Sequence, residues 1–250
     1  MKPYVTAIIP ALNEEAAIGG VVSTIGRSTV DEVIVVDNGS TDATAERAAA
    51  AGARVVHEPQ HGYGRACAAG VRALSAACDI VVFLDGDGSD AAEEVEKLID
   101  PVASRSYDFA IGSRTRGMRE PGSMAAHQVF AGWLAGTLIA GLYGVSYTDM
   151  SPFRAVSRDL LDRLPMTELT YGWNLQMQIL VACAGARVLE VPVTHRRRSG
   201  GTSKVSGSLS GTLRASTRIL WLLARVAFAR RARSAASPAR AYLRSGGYHE

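Results

Sequence analysis

The 250-residue chain reads as one α/β domain: a mostly parallel central sheet with helices on its faces, followed by a basic tail. Three observations predict this. Short apolar runs alternate with Ala-rich helical patterns, as in repeated βαβ units. Several runs are continuously apolar, as strands buried on both faces are. The same runs end abruptly in acidic residues.

Each element follows in order. Val5–Pro10 is the first strand, with a helix from about Glu14 to Arg27. Glu32–Asp37 is the second strand, and Thr41 or Asp42 caps an Ala-rich helix to about Ala51. Arg54–Glu58 forms a third strand and Gly64–Ala77 a third helix. Asp79–Asp85 carries the run Ile80-Val81-Val82-Phe83-Leu84, a central strand. Asp90 caps a helix over Ala91–Ala103, with Glu93, Glu94 and Glu96 near its positive end. Tyr107–Gly112 is the next strand. A polar loop, Ser113–Gly122, leads into an apolar helix from about His127 to Tyr143. Thr148–Ala155 is extended, Pro165 closes the helix after it, and Tyr171–Ala184 is helical. Val188–His195 is the last strand, and Arg196–Gly207 a basic Gly/Ser-rich loop. Leu209–Arg231 has a long helical pattern. No internal repeat is present.

Hydrophobic residues make up 47% of the chain, enough for a real core. Cys67, Cys78 and Cys183 form no C-x-x-C pair and read as small packing residues, which favours a reducing compartment. Met1-Lys2-Pro3-Tyr4 leads directly into the first strand, so no signal peptide is expected. Charge is divided unevenly. Residues 1–190 hold 15 basic against 23 acidic side chains, whereas residues 191–250 hold 12 against Glu250 alone. An acidic body with a basic tail points to an anionic partner for the tail. No stretch reaches the roughly 20 uninterrupted apolar residues of a membrane span.

The sharpest chemical feature is Asp85-Gly86-Asp87 at the end of the central strand. Two carboxylates on alternate residues repel unless a cation sits with them. Hard oxygen ligands at this spacing suit Mg²⁺ or Mn²⁺ that also takes diphosphate oxygens. A strand-ending turn would explain the acids more simply, but open α/β sheets place ligands outside the carboxyl ends of their strands. Asp37 ends the second strand, where it can accept hydrogen bonds from a base or ribose, while Asn38-Gly39 supplies the turn. An Asx turn accounts for Asp42. Pro10-Ala11-Leu12-Asn13-Glu14 ends the first strand and puts Glu14 on the shared edge.

Together these segments resemble a known family. Ile9–Glu14, Val35–Asp42 and Leu84–Asp87 look like the successive signatures of family 2 inverting glycosyltransferases of GT-A fold. Gly112-Ser113-Arg114, Asp149–Arg154 and Arg198–Lys204 narrow the likeness to the polyprenyl-phosphate sugar synthases, relatives of dolichyl-phosphate mannose synthase. The likeness covers roughly residues 5–205, which sets residues 1–205 as the GT-A domain and 206–250 as a basic amphipathic helix and tail.

The resemblance implies a role for each matching residue. Pro10, Leu12 and Glu14 border the nucleobase, and Asp37 binds the nucleoside of a UDP- or GDP-sugar. Asp85 contacts the nucleotide-sugar and joins Asp87 at the divalent metal, Mg²⁺ or Mn²⁺, with Asp87 as the ligand proper. Arg114 faces a phosphate. Asp149 is the candidate catalytic acid, with Arg154 orienting it, and Arg198 and Lys204 clamp the phosphate of a polyprenyl lipid. Two departures stand out: Ser89 occupies a place where the group often has Gln, and His127-Gln128 one where it often has Arg.

Weaker signals have plainer explanations. His61-Gly62-Tyr63-Gly64 lacks the third glycine and ribose acid of a dinucleotide fingerprint, and reads as a loop beside the donor site. The five histidines show no ligand spacing. Tyr171-Gly172-Trp173-Asn174 reads as helix-start packing or as an acceptor-side wall. In the tail, Leu213, Ile219, Leu220, Leu223 and Val226 recur at near-helical spacing among Arg214, Arg218 and Arg225. That pattern suits a surface helix or an interfacial helix on anionic lipid, where each basic residue adds about 1 kcal/mol. The tail has too few aromatics for base stacking, so nucleic acid is not an expected partner. The expected place is cytoplasmic, peripheral at the inner face of the cell membrane.

Overall fold

A computed structural model describes residues 2–26 and 28–199. Lys204 and the tail helix therefore lie outside the described residues, as does the boundary at 205/206.

The chain runs β1 (Val5–Ala11), α1 (Ile18–Thr24), β2 (Glu32–Asp37), α2 (Thr44–Ala50), β3 (Arg54–His57), α3 (Tyr63–Arg72), β4 (Ile80–Phe83). After a 3-10 turn at Ala92–Glu94 come α4 (Glu96–Ala103), β5 (Phe109–Ser113), α5 (Ala126–Tyr143), β6 (Arg154–Ser157), α6 (Arg158–Arg163), α7 (Trp173–Cys183) and β7 (Val188–Pro192). The seven strands form one sheet in the order β3-β2-β1-β4-β6-β5-β7. All neighbours are parallel except β6, which is antiparallel to both β4 and β5.

Strand side chains alternate between two cores, one on each face. Ile8, Ile34, Val36, Val81 and Phe83 pack with residues of α3, α5, α6 and α7. Ile9, Val33, Val35, Ile80 and Val82 pack with α1, α2 and α4. Burying each such side chain contributes about 1.5–3 kcal/mol, which explains why the central strands are so largely apolar. Cys67 and Cys78 sit in the first of these cores as free thiols, in keeping with a packing role.

The reversed direction of β6 is what positions the site. Its first residue, Arg154, pairs with Phe83 at the tip of β4, so the loop 149–153 arrives at the edge where β1, β2 and β4 end. Helix α5 presses onto that loop. A Cβ at Gly136 would lie 1.8 Å from the Tyr147 carbonyl oxygen, and one at Gly132 3.8 Å from Asp149 Oδ1. Glycine at 136 is thus required by close approach. Gly144, at φ 74°, then ends α5 in the left-handed cap.

Several local expectations shift. Helix α1 is shorter than expected, because residues 14–17 form a turn on the Glu14 carbonyl. Asp42 does not cap α2 in the usual way; its Oδ1 takes the Thr44 N–H and hydroxyl. Asp90 caps no helix, since its Oδ2 accepts the Asp85 N–H at 3.1 Å.

Candidate active site

The carboxyl edge gathers acids from three strands. At the tip of β4, Asp85, Asp87 and Asp90 crowd into one turn. Gly86 is needed there: a Cβ would stand 3.2–3.4 Å from Ile18, Ile9 and the Pro10 carbonyl, tying the turn closely to β1. Oδ1 of Asp85 is sealed from solvent with no hydrogen-bond partner. Burial pushes the Asp85 carboxyl well above the usual carboxylate range, and the charges of Asp90 and Asp87 push it further. Such a group holds stored electrostatic cost that a cation relieves.

Asp87 Oδ1 accepts the Ser89 N–H at 2.8 Å, and its Oδ2 pairs with Arg198 Nη1 at 2.9 Å. The same guanidinium reaches Glu14 Oε1 through Nη2 at 2.5 Å. Arg198 was expected on an acceptor phosphate. It stands between the nearly buried carboxylates of Glu14 and Asp87.

Asp37 lies at the same edge in its own setting. Its Oδ1 accepts the Ser40 N–H at 3.0 Å, and its Oδ2 lies 3.2 Å from His57 Nδ1. The Asx-turn reading given to Asp42 therefore applies to one oxygen of Asp37 as well. Pro10 is buried in β1 and Leu12 half-buried beyond it. Glu14 has its N–H held by the Thr44 hydroxyl at 2.8 Å.

Across the edge stands Asp149, 2% exposed. Arg114 grips it with Nε on Oδ2 at 2.7 Å and Nη2 on Oδ1 at 2.8 Å, and its backbone N–H adds a bond at 2.9 Å. The Met150 N–H supplies a fourth donor at 2.7 Å. Burial alone would raise the Asp149 carboxyl, but the Arg114 bonds and charge outweigh it and hold the group below the usual range. Burial likewise disfavours the Arg114 cation, and the Asp149 bonds more than reverse that.

Arg154 does not orient Asp149; that expectation is corrected. It is fully buried, and its Nε, Nη1 and Nη2 donate to the carbonyls of Pro152, Asn174 and Ser151. Its guanidinium lies 5.9 Å from the Phe109 ring centre. Burial lowers its pKa, so the carbonyls and ring hold a costly charge inside the fold. The Asp149-orienting group is Arg114.

The glycines of His61–Gly64 make room for protein backbone. A Cβ at Gly64 would lie 2.4 Å from the Glu168 carbonyl oxygen, and the N–H groups of Gly64 and Arg65 donate to Thr170 and Leu169. They admit the 168–170 loop. Trp173 fulfils the packing role, edge-on to Phe83 at 6.4 Å.

Sequence reasoning missed Asp90 and His195. Both are buried, with His195 Nδ1 3.8 Å from Asp90 Oδ1. Their spacing carries no signal: His195 lies beyond the end of β7, and an isolated backbone bridge brings it to Asp90.

Among the described residues, no group of three or more His, Cys, Asp or Glu side chains forms a self-sufficient metal site. The orphaned Asp85 oxygen beside Asp87, already holding a cationic guanidinium, fits a metal bound through one or two carboxylates and completed by substrate phosphates.

Known proteins are similar to this chain in sequence and fold. The signature described as Glycosyl transferase family 2 matches residues 6–164. A glycosyltransferase of Mycobacterium tuberculosis, itself uncharacterized, is 37% identical over 84% of this chain and 93% of its own. The undecaprenyl-phosphate mannosyltransferase of Micrococcus luteus is 32% identical over 83% of this chain and 89% of its own. Among solved structures, glucosyl-3-phosphoglycerate synthase of Mycobacterium tuberculosis, in complex with Mn²⁺ and UDP-glucose, is similar at a TM-score of 0.67. It shows 26% identity, covering 89% of this chain and 79% of that one. The sheet is that of the GT-A fold, and the chain belongs to glycosyl transferase family 2.

Proposed function

We propose that the protein is a metal-dependent, inverting hexosyltransferase. It moves a hexose from a UDP- or GDP-sugar to a phosphate oxygen of a polyprenyl phosphate. The observation that carries this reading is the saturation of Asp149: four donors occupy its oxygens and its pKa is held low. A carboxylate so engaged is a poor general base. A hydroxyl nucleophile needs such a base, whereas a phosphate is already anionic. The similarity to an undecaprenyl-phosphate mannosyltransferase supports the same acceptor.

In this reading Pro10 and Leu12 border the base, Asp37 takes the nucleoside, and Asp85 and Asp87 face the diphosphate and its metal. A bound divalent cation supplies charge neutralisation to the departing diphosphate, a contribution of several kcal/mol. Asp149 and Arg114 together fix the electrostatics around the anomeric carbon. Direct displacement by the phosphate oxygen inverts that centre. In the same reading the basic residues of 206–250 serve to hold the protein on anionic lipid at the inner face of the cell membrane.

A second reading, transfer to a soluble phosphorylated acid, is favoured by the likeness to glucosyl-3-phosphoglycerate synthase. Both are tested together by incubating the full chain with labelled UDP- and GDP-hexoses, Mn²⁺, and either undecaprenyl phosphate in vesicles or 3-phosphoglycerate. Label in the lipid fraction supports the proposal. Label only in the soluble product rejects it in favour of the second reading.

A further inference from the structure

We infer that Arg198 is an exchangeable internal counter-cation, which a divalent metal must displace from Asp87 before the donor site is loaded. The inference rests on the reading of Asp87 as a metal ligand. One guanidinium bridges Glu14 Oε1 at 2.5 Å and Asp87 Oδ2 at 2.9 Å. Both carboxylates are nearly buried, and such a pair without a cation is costly.

The bridge differs from the more deeply buried guanidinium groups of Arg154 and Arg114. Arg154 satisfies all three nitrogens on carbonyls, and Arg114 adds a backbone bond to its fork on Asp149. Arg198 leaves its Nε sealed and without an acceptor. It is held by charge more than by a complete hydrogen-bond shell, and a competing charge releases it.

The segment carrying Arg198 lies across the β4 turn like a strap. Ser199 N–H donates to the Asp87 carbonyl at 3.0 Å, and Arg196 N–H to that of Ser89 at 2.8 Å. His195 bridges to Asp90 and to Arg119. Gly88, at φ +76°, accommodates the strap: a Cβ there would stand 2.6 Å from Ser199 Oγ. The contact is thus shaped by the turn that carries the acids.

A divalent metal on Asp87 would stand close to the guanidinium 2.9 Å from Oδ2, and the two like charges repel. In the unloaded enzyme Arg198 therefore suppresses metal binding, and loading of metal with donor phosphates frees its guanidinium for an anionic acceptor. Donor binding then precedes acceptor binding.

The test is Mn²⁺ binding to the full chain without donor, read from the electron-paramagnetic signal of free Mn²⁺. Arg198→Gln should tighten Mn²⁺ about tenfold, the equivalent of about 1.4 kcal/mol of competition removed. Arg198→Lys, which keeps the charge and loses the bridge, should fall between and carries the test if the Gln variant does not fold. Mn²⁺ affinity unchanged or weakened in these variants, with Asp87→Asn abolishing binding, overturns the counter-cation and leaves the metal reading intact. Mn²⁺ binding that survives Asp87→Asn overturns the metal reading itself. By calorimetry, inorganic phosphate should bind the wild type only once Mn²⁺ and UDP are present; equal affinity without them overturns the release step.

Discussion

Arg114 holds Asp149 as a two-pronged ion pair, with both carboxylate oxygens engaged at 2.7 and 2.8 Å in a setting where Asp149 is 2% exposed. The pair joins the end of β5 to the loop before β6, and so couples the candidate catalytic carboxylate to the rigid sheet. Breaking one side leaves a buried charge behind.

Arg114→Ala is expected to destabilise the protein by about 3–5 kcal/mol at neutral pH. The folded-state pKa of Asp149 lies below its ordinary value. Its stabilising contribution is thus full at neutral pH and is lost as pH falls from the ordinary aspartate range through the lower folded value. Urea unfolding of wild type and variant at descending pH should show their difference shrinking. A constant difference would contradict the linkage.

Asp85 has the opposite sign. Its raised pKa marks a carboxylate whose charged form the fold penalises, first by burial and then by Asp90 and Asp87. Asp85→Asn is expected to raise Tm by about 2–4 °C, the shift of roughly 1 kcal/mol in a domain of this size, while abolishing transfer. The gain should narrow toward acid pH, where the wild-type group is protonated. Thermal unfolding across pH, paired with a transfer assay, checks both halves.

Arg154 is a structural cation, so its loss should appear in folding before chemistry. Arg154→Met strands three carbonyl acceptors, each orphaned buried group costing about 1–3 kcal/mol. Folded yield and Tm should fall sharply, in contrast to Asp85→Asn, which loses transfer without losing Tm. The reverse pattern would return Arg154 to the catalytic group.

Gly64→Ala tests the close packing at the start of α3. A Cβ placed 2.4 Å from the Glu168 carbonyl oxygen forces the 168–170 loop away, at about 1–3 kcal/mol. Lowered Tm with an unchanged Kd for UDP supports close packing. Unchanged Tm with weakened UDP binding would make the loop a phosphate cradle.

Much of the fold was legible because buried parallel strands need continuous apolar runs. Val33–Val36 and Ile80–Leu84 could hardly be anything else, and the acids ending them marked the carboxyl edge of the sheet. The insertion of β6 between β4 and β5 was not legible, since a reversal made after the long excursion through α5 leaves no periodic trace. The misread residues share a cause. Asp90 looked like a helix cap and Arg154 like a partner of Asp149, because sequence spacing reports which residues are near in chain. Which carboxylate or carbonyl meets a long guanidinium is decided by tertiary packing. Asp37 shows the same limit: its place at a strand tip was evident, but the Ser40 and His57 contacts that occupy its oxygens were not.

The central claim is that the β4 carboxylates hold a cation against a diphosphate. The most direct measurement is the thermal shift of wild type and Asp87→Asn with UDP, Mn²⁺, or both, since a ligand bound only by the folded state stabilises by RT ln(1 + [L]/Kd). The account predicts that UDP and Mn²⁺ together raise the wild-type Tm by more than the sum of their separate effects, and that Asp87→Asn loses this excess. Equal UDP stabilisation with and without Mn²⁺, or a full combined shift in Asp87→Asn, would contradict it.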